Sequence, residues 1–323
     1  MSKGLVSVLV LFPALFFSFI TEAQAQGFPN RPITLILPMA PGDGLDIAGR
    51  AMADELAKVL RVSMIPLNKP GAAATAGTDI VAKAKKDGYT ILLTNNASLI
   101  SARILHPDEV PYDPFKDLTP LALVTQVPSL IAIRSDAPYK NFKEVVDYAK
   151  RNPGRMRCGT MGVGSVGDFN VEIVKMVAGA EMTIVPFKGG APGATALLGG
   201  HIEAVAQSLG ALIPHIRSGS MRAVATSLKF RELPDVPTLK ELGYQEELLG
   251  IWFAFFAPAG IDTEVRATLV SAIEKVAKDP SVASKLGNLG MIQDFEPPNQ
   301  LLERMRAEYK LIEGIAKRTG MMK

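Results

Sequence analysis

Residues 33–60 read I-T-L-I-L-P-M-A-P-G-D-G-L-D-I-A-G-R-A-M-A-D-E-L-A-K-V-L, and this stretch indicates the kind of fold. Its first five residues are apolar apart from one threonine, and they predict a buried strand that ends before Pro38. Apolar side chains from Ala48 to Val59 then recur at helical spacing, which predicts a helix over residues 47–60. A strand, a glycine-rich loop and an amphipathic helix in this order form one unit of an α/β sheet.

The same alternation of short apolar runs and helical patterns continues along almost the whole chain. Asn141 stands just before a run with helical spacing, as the capping residue of a helix does. Further strands are predicted over residues 89–94, 130–133, 155–159, 182–187, 202–207 and 221–227. Further helices are predicted over residues 169–178, 263–278 and 300–317. The sequence therefore predicts an α/β protein.

The first 25 residues have the organisation of a secretory signal peptide. A positive start is followed by a nearly uninterrupted apolar run over residues 5–20 and by A-Q-A at residues 23–25, a cleavage pattern. An uncleaved membrane anchor is the alternative, but a spanning helix needs about 20 apolar residues. This run is shorter and contains Pro13. We predict export to the periplasm, cleavage near Ala25 and a mature chain that begins near Gln26.

Composition and charge argue against several classes of partner and cofactor. The formal net charge is +3 and the sequence has no basic stripe with interleaved aromatic residues, so nucleic acid is not an expected partner. Cys158 is the one cysteine, which rules out an intramolecular disulfide. This thiol and the histidines His106, His201 and His215 have no spacing suited to a metal cluster. We therefore expect neither a metal nor another cofactor.

Three glycine-rich loops share one layout, in which a strand is followed by a flexible loop and then by the start of a helix. They read A-P-G-D-G-L-D at residues 40–46, T-M-G-V-G-S-V-G-D at residues 160–168 and F-K-G-G-A-P-G at residues 187–193. A helix start exposes unpaired N–H groups and the positive end of the helix dipole, and glycine lets the backbone approach a ligand. One such loop is an ordinary turn, but recurrence in both halves of the chain predicts a carboxylate or phosphate site.

Sequence signatures of enzymes and of nucleotide-binding proteins are not matched. G-V-G-S-V-G at residues 162–167 has the spacing of a dinucleotide fingerprint, but the end of the next strand lacks the acidic residue expected about 20 positions later. Ser165 has Val163 rather than glycine two residues before it, so the G-x-S-x-G pattern of a nucleophile elbow is not matched. No metalloprotease or phosphate-loop motif occurs. These observations favour a binding protein over an enzyme.

Nine short motifs occur in order over essentially the whole mature chain. They are F-P-N-R-P-I-T-L-I-L-P-M-A-P-G at residue 28, N-K-P-G-A at 68, D-G-Y-T at 87, P-Y-D-P-F-K-D at 111, G-V-G-S at 162, P-F-K-G-G-A-P at 186, L-L-G-G-H-I at 197, L-P-D-V-P-T at 233 and A-P-A-G at 257. In these motifs the chain resembles the extracytoplasmic solute-binding receptors of tripartite tricarboxylate transporters, often called Bug proteins.

The resemblance implies a type II periplasmic binding-protein fold, in which two α/β lobes close on a ligand like a Venus flytrap. The first lobe would comprise residues 26–126 and 250–323, and the second would comprise residues 127–249. The implied ligand is a small organic acid, and the implied partners are the permease subunits of a membrane transporter, which would receive the ligand from a monomeric receptor. Two alternatives remain, a ligand sensor for a membrane kinase and a periplasmic enzyme on the same fold.

In the family, four loops hold the carboxylate ligand, and the glycine-rich loops of this chain account for three of them. The fourth is the loop after the D-G-Y-T strand. Carried over to this sequence, the resemblance implies these ligand-binding residues: Gly42, Asp43, Gly44, Leu45, Asp46, Asn95, Asn96, Ala97, Ser98, Gly162, Gly164, Ser165, Val166, Asp168, Lys188, Gly189, Gly190, Ala191 and Gln207.

Four of these positions depart from the family's pattern. Asp43 and Leu45 stand where the first loop usually has a glycine and a hydroxyl residue. Asp168 replaces a common histidine, and Gln207 replaces a common acidic residue. Because carboxylates beside a bound carboxylate would repel it, we hypothesise a ligand that also carries a cationic or strongly donating group. The alternative is that Asp43 faces solvent or caps a backbone N–H.

Overall fold

A computed structural model describes residues 27–71 and 74–322, and the signal peptide predicted over residues 1–25 lies outside them. The described chain forms two β-sheets with helices packed against them. One sheet has six strands and the other has five. Each sheet is the centre of one lobe, so the predicted two-lobed α/β architecture is confirmed.

The first sheet is built from both ends of the described chain. Its strands are β1 (Ile33–Leu37), β2 (Met64–Asn68), β3 (Thr90–Asn95), β4 (Leu118–Val127), β10 (Ile251–Pro258) and β11 (Ile292–Glu296). Their order is β11-β4-β10-β3-β1-β2; β1 runs parallel to β2 and β3, and β10 runs antiparallel to β3 and β4. The carboxyl ends of β1 and β3 therefore lie at one edge of the sheet, where ligand-binding loops collect in α/β proteins.

The second sheet is continuous in sequence. Its strands are β5 (Ser129–Arg134), β6 (Met156–Thr160), β7 (Met182–Pro186), β8 (Ala204–Ser208) and β9 (Met221–Thr226), in the order β7-β6-β8-β5-β9. Strand β6 runs parallel to β7 and β8, whereas β5 is antiparallel to β8 and β9. Because β6 and β8 are parallel, their carboxyl ends lie at one edge of this sheet, and the loops that follow them collect there.

Helices connect most of these strands. They are α1 (Gly44–Leu60), α2 (Thr75–Ala82), α3 (Ala102–Leu105), α4 (Phe142–Arg151), α5 (Val166–Ala178), α6 (Gly190–Leu198), α7 (Leu209–Arg217), α8 (Thr263–Ala277), α9 (Pro280–Gly287) and α10 (Pro298–Thr319). The predicted cap of α4 is confirmed, since the Asn141 side chain accepts a hydrogen bond from Glu144 N. Across the described ranges, no helix combines the length and the apolar character that a membrane span requires.

The chain passes between the two sheets at two places. The first crossing separates the end of β4 at Val127 from the start of β5 at Ser129, and the second leads from Leu249 into β10. Asn170 of α5 forms two hydrogen bonds with the backbone of Leu249. Its Nδ2 donates to the Leu249 carbonyl at 2.9 Å, and its Oδ1 accepts from the Leu249 N–H at 2.7 Å. The lobe boundaries predicted from the sequence lie beside these crossings and stay a prediction.

The C-terminal helix α10 packs on both lobes. Its buried side chains, including Met305 and Ile312, belong to the same apolar cluster as Phe169 and Ile173 of α5 in the second lobe. The helix also contacts β4 and α3 of the first lobe. Any movement of one lobe relative to the other must therefore be accommodated at α10 as well as at the two crossings.

Candidate ligand-binding cleft

A cavity of about 280 Å³ lies between the two lobes. Its walls come from the loops and helix starts after β1 and β3 in the first lobe and after β6 and β8 in the second. Ser129 at the first crossing and Ile251 at the second complete the lining. A ligand in this cavity would contact both lobes at the same time.

Asp43 closes the loop after β1 by capping helix α1. Its Oδ1 accepts a hydrogen bond from the Leu45 N–H at 2.9 Å, and its backbone is extended, as at most helix N-caps. The residue is exposed and does not line the cavity. The capping alternative for Asp43 is therefore confirmed, and Leu45 is buried in the core of the first lobe.

Asp46 holds the same loop from its buried side. Its Oδ2 accepts from the Gly42 N–H at 2.8 Å, and its Oδ1 accepts from Arg50 Nε at 2.9 Å and Asn68 Nδ2 at 2.8 Å. Asn68 Nδ2 also donates to the Met39 carbonyl at 3.0 Å, so the network fixes Met39 beside the cavity. Burial acts to raise the pKa of Asp46, but these hydrogen bonds and the nearby guanidinium outweigh it and lower the pKa below its ordinary value.

A π-helical turn, Ala97–Ser101, follows β3 and contributes to the cavity wall. The Oδ1 of Asn95 accepts from the Ser98 N–H at 3.0 Å, and the Tyr112 hydroxyl donates to the Ser98 carbonyl at 2.8 Å. The hydroxyls of Thr94 and Ser98 lie 2.7 Å apart. These bonds set the start of the turn, and Asn95, Ala97 and Ser98 all line the cavity.

Asn96 is engaged at the second crossing between the lobes rather than in the cavity wall. Its Nδ2 donates to the Gly250 carbonyl at 3.0 Å and to Glu308 Oε1 at 2.5 Å, and its Oδ1 accepts from the Trp252 N–H at 3.4 Å. Trp252 Nε1 donates to Glu308 Oε2 at 2.7 Å. Burial raises the pKa of Glu308, and the hydrogen bonds from Trp252 and Asn96 offset only part of this effect. Asn96 thus ties the crossing to α10.

The loop after β6 is stabilised by a cap and by a buried carboxylate. Ser165 caps α5 by accepting a hydrogen bond from the Asp168 N–H at 3.4 Å. Asp168 accepts from the Gly164 N–H at 2.8 Å and from the Thr160 hydroxyl, and it does not line the cavity. Burial raises the pKa of Asp168, which these two bonds offset only in part. The first turn of α5, from Val166, borders the cavity and carries unpaired N–H groups.

Gln207 on β8 brings a buried amide without a partner to the cavity. The residue is 1% exposed and lines the cavity, and neither Nε2 nor Oε1 has a hydrogen-bond partner within the described part of the chain. A Cβ at Gly193 would lie 2.1 Å from the Gln207 Nε2, and a Cβ at Gly190 would lie 3.4 Å from its Oε1. The glycines after β7 therefore make room for this amide, a role that the sequence pattern did not indicate.

The predicted ligand-binding residues divide into two groups by position. Those that line the cavity are Asn95, Ala97, Ser98, Gly162, Gly164, Ser165, Val166 and Gln207. Those outside its lining are Gly42, Asp43, Gly44, Leu45, Asp46, Asn96, Asp168, Lys188, Gly189, Gly190 and Ala191. Contact of any of these residues with a ligand stays a prediction.

Other cavity residues were not named singly from the sequence, although Met161, Val163 and Gly167 belong to the predicted loop at residues 160–168. They are Met39, Ala102, Leu105, His106, Ser129, Met161, Val163, Gly167, Ser208 and Ile251. Met39 and Ser208 lie at or just after strand ends, a signal that could have found them. Leu105 and Ser129 carry no comparable signal, because only the packing of the two lobes brings them to the cavity.

Asp43 and Asp168, the two carboxylates behind the hypothesis of a cationic ligand, are both engaged within their own loops. Asp43 accepts from the N–H of Leu45, and Asp168 accepts from Gly164 and Thr160. These carboxylates therefore do not line the cavity, and repulsion by them gives no reason to expect a cationic group on the ligand.

Two α/β lobes around a cavity bordered by helix starts define a type II periplasmic solute-binding protein. The sequence model of one protein family, the tripartite tricarboxylate transporter family receptor, matches residues 48–320 of the chain. The chain belongs to this family. Protein BugT of Bordetella pertussis is 30% identical over 299 residues, which cover 92% of this chain and 92% of BugT.

Solved structures of related receptors share the fold over nearly their whole length. R. palustris Rpa4515 with adipate has a TM-score of 0.79 and 28% identity, covering 91% of this chain and 99% of that one. MatC from Rhodopseudomonas palustris with bound malate has a TM-score of 0.73 and 28% identity, covering 89% of this chain and 99% of that one.

Proposed function

We propose that this chain captures a small carboxylate in the cavity between its lobes and delivers it to the permease of a tripartite tricarboxylate transporter. Membership of the receptor family supports the role in transport. The relatives solved with adipate and with malate support a carboxylate as the ligand. The ligand is then an organic acid small enough for a cavity of about 280 Å³.

The observation that carries this proposal is the buried amide of Gln207 beside the start of α5. A buried donor or acceptor without a partner costs about 1–3 kcal/mol, and a ligand oxygen that accepts from the Gln207 Nε2 would remove the donor's share of this cost. The first turn of α5, at Val166 and Gly167, adds unpaired N–H groups and the positive end of a helix dipole. A carboxylate can accept hydrogen bonds from all of these groups.

Closure of the two lobes on the ligand is the proposed mechanism. Leu105 of the first lobe and Gly164 of the second approach so closely that a Cβ on Gly164 would lie 2.6 Å from the Leu105 Cδ1. A ligand that contacts both lobes stabilises this arrangement, because only the closed form makes all the contacts at once. Opening at the permease would then release the ligand.

We further propose that the cavity performs no chemistry on its ligand. His106 is the one lining residue in the described chain with an acidic or basic side chain, and its Nδ1 lies 3.8 Å from the Glu109 carboxylate. A serine nucleophile needs a base within hydrogen-bond reach, whereas Ser165 serves as the cap of α5. These observations support a receptor rather than a hydrolase.

Export and a monomeric state complete the proposal. The signal peptide predicted over residues 1–25 would be removed near Ala25, so that the mature receptor acts in the periplasm. BugD, a periplasmic binding protein of solved structure, is 29% identical to this chain with a TM-score of 0.75, which supports this location. A single chain supplies both walls of the cavity, so the proposed site needs no second copy.

The test is calorimetric titration of the mature protein with a panel of carboxylates, followed by analysis of the ligand recovered after incubation. The proposal expects one site per chain and recovery of the ligand unchanged. Trp252, the only tryptophan, lies at the second crossing, so its fluorescence gives an independent signal of closure. Chemical conversion of the ligand, or no binding of any carboxylate, would contradict the proposal. Co-purification with a sensor kinase instead of a permease would contradict the transport role.

A further inference from the structure

We infer that the preferred ligand is a monocarboxylic acid with an apolar body, rather than an acid with charges at both ends. This inference rests on the proposed function, because it names the class of ligand for the same cavity. It follows from how polar and apolar groups are distributed over the cavity wall and from the absence of a fixed cation among the described lining residues.

Neutral donors that suit one carboxylate come from neighbouring elements of the second lobe. Gln207 and Ser208 end β8, and the first turn of α5 begins at Val166. Ser208 stands at the N-cap of α7 without a side-chain capping bond, so its hydroxyl is not engaged as a cap. The buried Gln207 amide is the independent sign of a ligand here, because both of its polar atoms lack a partner in the described chain.

The remaining wall is apolar apart from Asn95, Ser98, His106, Ser129 and Ser165, and it comes from both lobes and from the second crossing. Its side chains include Met39 and Leu105 from the first lobe, Met161 and Val166 from the second, and Ile251 between them. Methionine side chains adapt to irregular apolar shapes. Each methylene group that a ligand buries against such a wall improves its dissociation constant by about fourfold.

A second carboxylate on the ligand would find no fixed cation in the described wall. No lysine or arginine of the described chain lines the cavity, and His106 is already 3.8 Å from the Glu109 carboxylate. The nearby Arg103 donates instead to the carbonyls of Pro107 and Val110. Removing a charge from water is strongly unfavourable where neither hydrogen bonds nor an opposite charge replace it. The apolar side chains of the wall supply neither, so they disfavour a second charged end.

The size of the cavity agrees with a short acid. A volume of about 280 Å³ lies just below the range of about 300–1,000 Å³ that is usual for small-molecule pockets. The volume therefore allows an apolar body of a few carbon atoms behind one carboxylate.

Hexanoate and adipate provide a matched pair of probes, since both have six carbon atoms and adipate carries a second carboxylate. In titrations of the mature protein, we expect hexanoate to bind at least about tenfold more tightly than adipate. Butanoate should bind more weakly than hexanoate by about fourfold for each missing methylene. Equal or tighter binding of adipate would overturn this inference and leave the carboxylate receptor intact. Failure of every carboxylate to bind would overturn both proposals.

A pair of methionine variants tests whether the apolar wall sets the preference. Met161→Gln adds a polar amide to the wall at nearly constant size, and we expect it to weaken hexanoate binding about tenfold or more without weakening adipate. Met176→Gln is the matched control, because Met176 is an exposed methionine outside the cavity. Equal loss of both ligands in Met161→Gln, or no loss of hexanoate, would contradict an apolar wall as the determinant.

Discussion

The amide of Gln207 is buried at the cavity although nothing in the described chain pairs with it. Leucine has a similar size and no polar atoms. We predict that Gln207→Leu raises the free energy of unfolding of the ligand-free protein by about 1–3 kcal/mol, because it removes buried groups without partners. The same variant should bind the carboxylate at least about tenfold more weakly.

Gln293→Leu serves as the matched control for this experiment. The Gln293 side chain donates to the carbonyls of Val276 and Asp279, away from the cavity. Its removal should lower stability and leave the affinity for the carboxylate unchanged. A Gln207→Leu protein that is less stable and binds normally would show that the amide has a structural role.

Asp46 gives the first loop a stability that depends on pH. The pKa of Asp46 is lowered in the folded chain. Its contribution to the free energy of unfolding is therefore complete above the ordinary aspartate pKa of about 3.9, and it is lost as the pH falls through the pKa of the folded state. We predict that Asp46→Asn lowers the free energy of unfolding at pH 7 by about 1.5–3 kcal/mol, the range for hydrogen bonds to a charged group. Urea unfolding of both proteins from pH 7 to pH 3 should show this difference shrinking below about pH 4. A difference that is constant with pH would contradict the assignment.

At the scale of elements, the joint between β10, the π-helical turn and α10 depends on Glu308. This carboxylate accepts from Trp252 Nε1 and Asn96 Nδ2. We predict that Glu308→Leu lowers the free energy of unfolding by about 1–3 kcal/mol, because the buried indole N–H loses its acceptor. Urea unfolding followed by the fluorescence of Trp252, the only tryptophan, measures this loss.

Glu308→Gln separates lost hydrogen bonding from lost packing at this joint. Glutamine keeps the shape and one acceptor oxygen, so its loss of stability should be smaller than that of Glu308→Leu. Equal losses in the two variants would show that packing, rather than the hydrogen bonds to Trp252 and Asn96, stabilises the joint.

At the start of α7, the backbone of Gly210 lies close to the backbone of Leu289 in the first lobe. A Cβ on Gly210 would lie 2.9 Å from the Leu289 carbonyl oxygen. We predict that Gly210→Ala weakens carboxylate binding about tenfold, because it holds the lobes apart, although alanine favours the isolated helix by about 1 kcal/mol. Gly314→Ala is the control, since a Cβ there meets nothing within 4 Å. Unchanged affinity in Gly210→Ala would contradict closure through this contact.

Elements with a strong local pattern could be predicted, and elements fixed by tertiary contacts could not. Strand β1 and the cap of α4 at Asn141 follow from apolar spacing and capping chemistry. Strand β2 contains Pro66 and only five residues, and it forms at the edge of the sheet by pairing with β1. The π-helical turn after β3 depends on hydrogen bonds between residues that are apart in sequence, such as the bond from the Tyr112 hydroxyl to the Ser98 carbonyl.

At the scale of the whole molecule, the two-lobed fold could be predicted because nine short motifs resemble those of a family with that fold, and the recurring glycine-rich loops predicted an anion site. The loop at residues 160–168 located the start of α5, and the resemblance located Gln207; both line the cavity. The apolar wall could not be predicted, since Leu105 and Ile251 reach the cavity only through the arrangement of the two lobes. The contact of α10 with α5 likewise joins segments that are far apart in sequence.

The central claim is that a carboxylate is held between the lobes by neutral donors of the second lobe and apolar side chains of both. A crystal structure of the mature protein with the acid that binds most tightly in the titrations tests this claim most directly. We predict one carboxylate within hydrogen-bond distance of Gln207 Nε2 and of the first turn of α5, with its body against Met39 and Leu105. A ligand that contacts only one lobe, or whose carboxylate pairs with a lysine or arginine outside this cavity, would contradict the account.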